Sequence, residues 1–156
     1  MEPRLSYVIG RLDRVLRRRL SEAVEPAGLT LPAYTALSVL RAQDGLSNAR
    51  LARRSLVTPQ SMSEVLSVLV EQGYVRRNAS GHGRVIRIEL TKAGSRALER
   101  CDRAVDELER EMLGELDADE AAGLREALLR CGRTLERKGA ERAGILKSAN
   151  EKDGAA

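Results

Sequence analysis

Apolar residues recur along this chain at helical spacing in blocks separated by glycine- and proline-containing breaks, and the period changes from helical to alternating only once. Leu5, Ile9, Leu12, Leu16 and Leu20 stand three or four residues apart and predict a helix over about 4–24. Pro26 and Gly28 end it. Thr30 is placed to cap a second helix, with Pro32 in the first turn where its missing N–H is not needed. Tyr34, Leu37, Val39 and Leu40 give that helix its apolar character as far as Gln43, and Asp44-Gly45 breaks it.

Two shorter helices follow. Ser47 caps one over Asn48–Leu56, with Ala49, Leu51, Ala52 and Leu56 expected to face inward. Thr58 caps the other, Pro59 occupies its first turn and Gly73 stops it after Glu71-Gln72. Its expected buried side is Met62, Val65, Leu66, Leu69 and Val70, leaving Gln60, Ser61, Ser63, Glu64 and Ser67 facing out. Tyr74–Arg77 and Val85–Leu90 then read as two short strands, the second alternating with period two, joined by the glycine-containing loop 78–84. Thr91 caps a long helix to about Leu113, with Ala97, Leu98, Cys101, Val105, Leu108 and Met112 along one side. Asp117 and Glu120 have the spacing of a capping box before a last helix striped by Leu124, Leu128, Cys131 and Leu135. Past about Gly139 the period is lost, and residues 140–156 are expected to form a flexible tail.

The predicted fold is mainly α with a small antiparallel β-hairpin. Helix, tight break, helix and basic hairpin between Ser47 and Leu90 form the layout of a winged helix-turn-helix, expected over about 30–90. The helices over about 4–24 and 91–138 flank it, giving one domain over 1–139. These amphipathic flanks need something to pack against, partly one another and partly a second subunit.

Charge sharpens this picture. The chain of 156 residues carries a formal net charge of +4. Between Ser47 and Leu90, seven arginines face three acids, an excess equal to that whole net charge. Positive charge is thus concentrated in the segment whose shape suits a DNA groove. Arg50, Arg53, Arg54, Arg76, Arg77, Arg84 and His82 are candidate phosphate contacts, with Ser47 and Asn48 at the start of the third helix. Thr58, Pro59, Gln60, Ser61 and Ser63 open the helix from which groove-reading side chains emerge. Glu64 is an exposed acid beside them, which repels phosphate unless it reads cytosine or pairs with a neighbouring arginine. Six arginines between Arg4 and Arg19 crowd the first helix, as a solvated face or as a further contact with phosphates or an acidic partner.

Other classes are disfavoured. No apolar run approaches the roughly 18 residues of a membrane span, and the N-terminus has no secretory pattern. A cytoplasmic, nucleoid-associated protein is expected. One histidine and no CxxC spacing argue against a metal site. There is no nucleophile motif, no suitably spaced carboxylate pair and no phosphate-cradling glycine loop, so neither an enzyme nor a cofactor is expected. Cys101 and Cys131 fall in helical patterns and read as isolated buried thiols, with redox sensing or an intersubunit disulfide as the sharper alternatives.

The runs Leu46–Arg54, Val57–Met62 and Leu69–Arg77, followed by Gly83-Arg84-Val85 and Leu90-Thr91-Lys92-Ala93-Gly94, together resemble the MarR family of bacterial transcription regulators. The resemblance extends from the first helix to about residue 138. It implies a homodimer joined through the N- and C-terminal helices, one winged unit per subunit and a pseudo-palindromic double-stranded operator. Release by a small organic effector is a frequent family property, and Tyr7 and Tyr34 are candidates to line such a site. The family's Asp-x-Arg wing motif matches Arg84, which would enter or border the minor groove. Its aspartate is replaced by His82, leaving Arg84 less constrained. That histidine is either a loop residue meeting water or phosphate, or a group that strengthens DNA binding once protonated below about pH 6.5. Oxidant-sensing members often carry a reactive cysteine near the N-terminus, and this chain has none there. The competing class is a protein-interaction module whose basic winged face meets an acidic partner. Preference for one palindromic sequence over matched random duplex separates the two.

Overall fold

Polar caps and left-handed glycines punctuate the chain in the computed structural model, which describes residues 2–79 and 86–153. Helix α1 spans Leu5–Val24, and a 3-10 turn at Glu25–Ala27 delivers the chain to Gly28 at φ +75°. Helix α2 spans Leu31–Ala42, its first turn closed by the Thr30 hydroxyl accepting from the Ala33 N–H at 3.3 Å. Gly45, at φ +70°, turns the chain into α3 (Asn48–Arg54), and α4 follows at Pro59–Glu71. Strands β1 (Val75–Ala79) and β2 (Ile86–Leu90) pair antiparallel with Val75 opposite Leu90 and Arg77 opposite Ile88. Leu46 adds a bridge to this sheet, its carbonyl accepting from the Ile88 N–H at 2.8 Å. Helix α5 is Lys92–Leu113 and α6 is Ala118–Asp153.

The chain divides into two compact units, residues 1–110 and 111–156. The core of the first gathers Val24, Leu37, Leu40, Leu51, Met62, Leu66, Leu69, Ile88 and Leu98 from every helix of that unit and from the hairpin. Because Phe and Trp are absent, aliphatic packing carries the apolar burial. Helix α5 approaches the hairpin at Gly94. A Cβ there would collide with the Tyr74 carbonyl oxygen and lie 2.8 Å from Leu90 Cδ1. In the second unit, the start of α6 is a reciprocal capping box. The Glu120 carboxylate accepts from the Asp117 N–H, and the Asp117 carboxylate from the Glu120 N–H, both at 2.9 Å.

Several sequence expectations change. Helix α3 stops at Arg54, two residues before the expected end. Leu56 is therefore not an inward residue: it sits at φ +57° and is 83% exposed. The left-handed backbone, which costs a leucine about 1–2 kcal/mol, turns its side chain away while Ser55 takes the buried position. Ala49 is also exposed. Val70 lies outside the buried row of α4, which is Met62, Leu66 and Leu69. The first strand begins one residue later and runs to Ala79. Cys101 is buried as expected, whereas Cys131 is exposed on α6. The stripes of α1 and α6 stay largely open, with Leu5, Ile9 and Leu12 exposed on one and Leu124, Leu128 and Leu135 on the other. Helix α6 continues beyond Gly139, where the apolar period ends, to Asp153.

Candidate nucleic-acid interface

Residues at the α3–α4 junction bond mainly to one another. The Ser47 hydroxyl caps α3 by accepting from the Arg50 N–H at 3.4 Å. Asn48 reaches across to α4, its Nδ2 donating to the Pro59 carbonyl at 3.1 Å and to Ser63 Oγ at 2.9 Å. Ser63 Oγ donates in turn to the same Pro59 carbonyl at 2.9 Å. Thr58 Oγ1 caps α4 by accepting from the Ser61 N–H at 3.1 Å and donates to Ser61 Oγ at 2.9 Å. These contacts fix the angle at which α4 leaves the turn. Of the polar residues expected to read bases, Ser61 and Ser63 are thus already bonded within the junction. Gln60 is exposed and makes no hydrogen bond among the described residues.

The cations lie on other elements. Arg50, Arg53 and Arg54 are exposed on the side of α3 away from Leu51 and Ala52. Arg53 and Arg54 also occupy its last turn, where the helix dipole favours positive charge. Arg77 is exposed on β1. None of these four makes an ion pair with a described residue. Arg76 differs, since its Nε donates to Glu89 Oε2 at 2.7 Å across the strand pair. Asn78 Nδ2 donates to the other Glu89 oxygen at 2.9 Å. The bonds from Asn78 and then from Arg76 hold the Glu89 carboxyl below the usual carboxylate range. His82 and Arg84, the expected tip of the wing, lie outside the described residues.

The base of the hairpin is clamped by residues the sequence did not single out for that task. Arg87 donates to the Gly45 carbonyl at 3.0 Å, and the Asp44 carboxylate accepts from the Leu90 N–H at 2.8 Å. Behind it, Arg41 on α2 forms a two-pronged pair with Asp102 on α5 at 2.8 and 3.2 Å. Partners 42 to 61 residues apart leave no local signal. Tyr7 and Tyr34 are not brought into one cleft. Tyr7 lines a shallow groove with Pro3, Val8, Arg11, Leu12 and Val15, while Tyr34 packs against the core, where burial raises its hydroxyl pKa. Among the described residues no group of His, Cys, Asp and Glu could hold a metal, and no helix is long and apolar enough to cross a membrane.

A helix-turn-helix locked at its junction, flanked by a hairpin and bearing exposed arginines that make no ion pair among the described residues, defines a winged helix-turn-helix DNA-binding protein. A MarR-family model matches residues 27–84. The chain is 37% identical over 129 residues to the HTH-type transcriptional repressor Rv2887 of Mycobacterium tuberculosis, spanning 82% of this chain and 93% of that protein. It also resembles two crystal structures of that protein. The complex with DNA gives a TM-score of 0.70 at 34% identity, covering 84% of this chain and 99% of that one. The complex with salicylic acid gives 0.69 at 36% identity, covering 83% and 97%. This chain belongs to the MarR family of DNA-binding transcription regulators.

Proposed function

We propose that the chain is a homodimeric repressor that binds a pseudo-palindromic operator in double-stranded DNA and is released by a small organic effector. The observation that carries the DNA reading is the face built by α3, α4 and the hairpin. There, Arg50, Arg53 and Arg54 on α3 and Arg77 on β1, without an ion pair among the described residues, stand beside a helix whose start is fixed by Asn48. Arg50, Arg53, Arg54, Arg76 and Arg77 neutralise phosphates and set register, and the exposed start of α4 reads base edges. The open apolar stripes of α1 and α6 support dimerisation through the flanking helices of a domain over 1–139. Two-fold symmetry then demands half-sites about one helical turn, roughly 34–36 Å, apart. The effector part rests on kinship with Rv2887, which has been crystallised with salicylic acid. Such a regulator works in the cytoplasm on the nucleoid.

The test is fluorescence anisotropy with a duplex tiling the region upstream of the gene, against shuffled duplex at about 150 mM salt. A site bound at least tenfold more tightly is expected, with salicylic acid lowering that affinity. Equal binding to both, followed by no enriched site from random duplexes, would overturn the reading in favour of an acidic protein partner.

A further inference from the structure

Helix α4 contains no Lys, Arg or His, and it carries Glu64 and Glu71. Met62, Leu66 and Leu69 face the core, so a 3.6-residue repeat puts Gln60, Glu64, Ser67 and Glu71 on the opposite side. Val68 lies beside Glu64 and is 51% exposed. The hydroxyls of Ser61, Ser63 and Ser67 each make a hydrogen bond within the protein, the last donating to the Ser63 carbonyl at 2.9 Å. Gln60 and Glu64 are the polar side chains in the first two turns that make no hydrogen bond among the described residues.

Nothing among the described residues accounts for the Glu64 charge. Its neighbours three and four residues away are Gln60, Ser61, Ser67 and Val68, so no cation supports it along the helix. Among the described residues it makes neither an ion pair nor a hydrogen bond. It also lies beyond the first turn, where the helix dipole would favour an acid. A carboxylate on a face that approaches a polyanion is unfavourable unless it meets a donor. In the major groove, guanine and thymine present only acceptors to hydrogen bonding. Adenine sets its N7 acceptor beside its amine, whereas cytosine offers its N4 amine without one.

We infer that Glu64 is a specificity-determining residue that accepts a hydrogen bond from cytosine N4 at one position of each half-site and rejects guanine and thymine there. The inference rests on the DNA-binding reading above. Rejection matters as much as attraction, because the carboxylate is repelled by acceptor edges at a wrong base.

The full-length protein and its Glu64→Gln and Glu64→Ala variants are each used to select sites from random duplexes, with circular dichroism confirming the fold. The wild type is expected to enrich cytosine at one symmetric pair of positions. Glu64→Ala should lower that preference by about tenfold while leaving other positions intact, and Glu64→Gln should move it towards adenine. Both variants should bind random duplex more tightly. Identical preferences in all three proteins would overturn the inference alone, as would a loss spread evenly over every position. A wild type that enriches no site would overturn the DNA-binding reading beneath it.

Discussion

Gly94 offers the sharpest test of how the hairpin is seated. Replacing it with alanine adds one methyl group in the first turn of α5, against the Tyr74 carbonyl oxygen and Leu90 Cδ1. The oxygen belongs to the backbone and cannot rotate aside. It also accepts from the Thr91 N–H at 3.1 Å, beside the Thr91 hydroxyl that donates to the Gly73 carbonyl at 2.7 Å, so displacing it disturbs the cap of α5. Overpacking of this kind costs about 1–3 kcal/mol, and a lost hydrogen bond about 1 kcal/mol. The higher helix propensity of alanine returns up to about 1 kcal/mol. The net expectation is a loss of about 2 kcal/mol, or roughly 4–8 °C in Tm for a chain of this size. Thermal and urea unfolding at one fixed protein concentration would measure it, since self-association makes Tm concentration-dependent. Gly123→Ala is the companion variant, because a Cβ there meets nothing within 4 Å. Gly94→Ala with stability equal to or above wild type would refute the close approach of α5 to the start of the hairpin.

Removing the cross-junction amide by Asn48→Ala should cost about 1–2 kcal/mol. It should also weaken DNA binding without changing its salt slope, because no phosphate-neutralising cation is lost; parallel unfolding and salt titrations check both. Leu56→Gly should leave stability unchanged or raise it by up to about 1 kcal/mol. A loss of 2–5 kcal/mol, the range for a truncated core leucine, would place that side chain inside. Glu89→Gln tests the hairpin network by pH. The wild-type carboxyl titrates below its ordinary value of 4.5, so its contribution is complete above that pH and disappears as pH falls through the lowered folded value. The stability gap between wild type and variant should therefore be constant near neutrality and close in acid, as read from urea midpoints across pH.

What the chain reveals locally, it reveals well. Thr30, Ser47, Thr58 and Asp117 each bond within three or four residues, and each was legible as a cap because the interaction is completed inside one turn. Leu56 shows where such reasoning stops. Its helical spacing fits an inward position, but α3 ends early and the backbone turns left-handed at Leu56, leaving Ser55 buried and Val57 against the core instead. The hairpin clamp of Asp44, Arg87 and Leu90 was invisible for a related reason: Asp44-Gly45 announces a turn, not the strand that returns to it. Within the interface, the polar character of the start of α4 was readable. The division between side chains that hold the junction and those left to meet DNA needed the geometry of Asn48 and Ser63. Cys131 followed the apolar period of α6, yet periodicity marks a face without saying what covers it.

The separation of arginines on α3 and the hairpin from a cation-free α4 also shapes behaviour under changing ionic conditions. Counterions are released by whatever neutralises phosphates, and under the proposed function that set is the arginines of α3 and the hairpin, at correct and incorrect bases alike. Rising salt should loosen the protein from its operator and from bulk chromosome by nearly the same factor. Discrimination would then stay level while occupancy falls, making the choice of site insensitive to osmotic stress and the time spent there acutely sensitive to it.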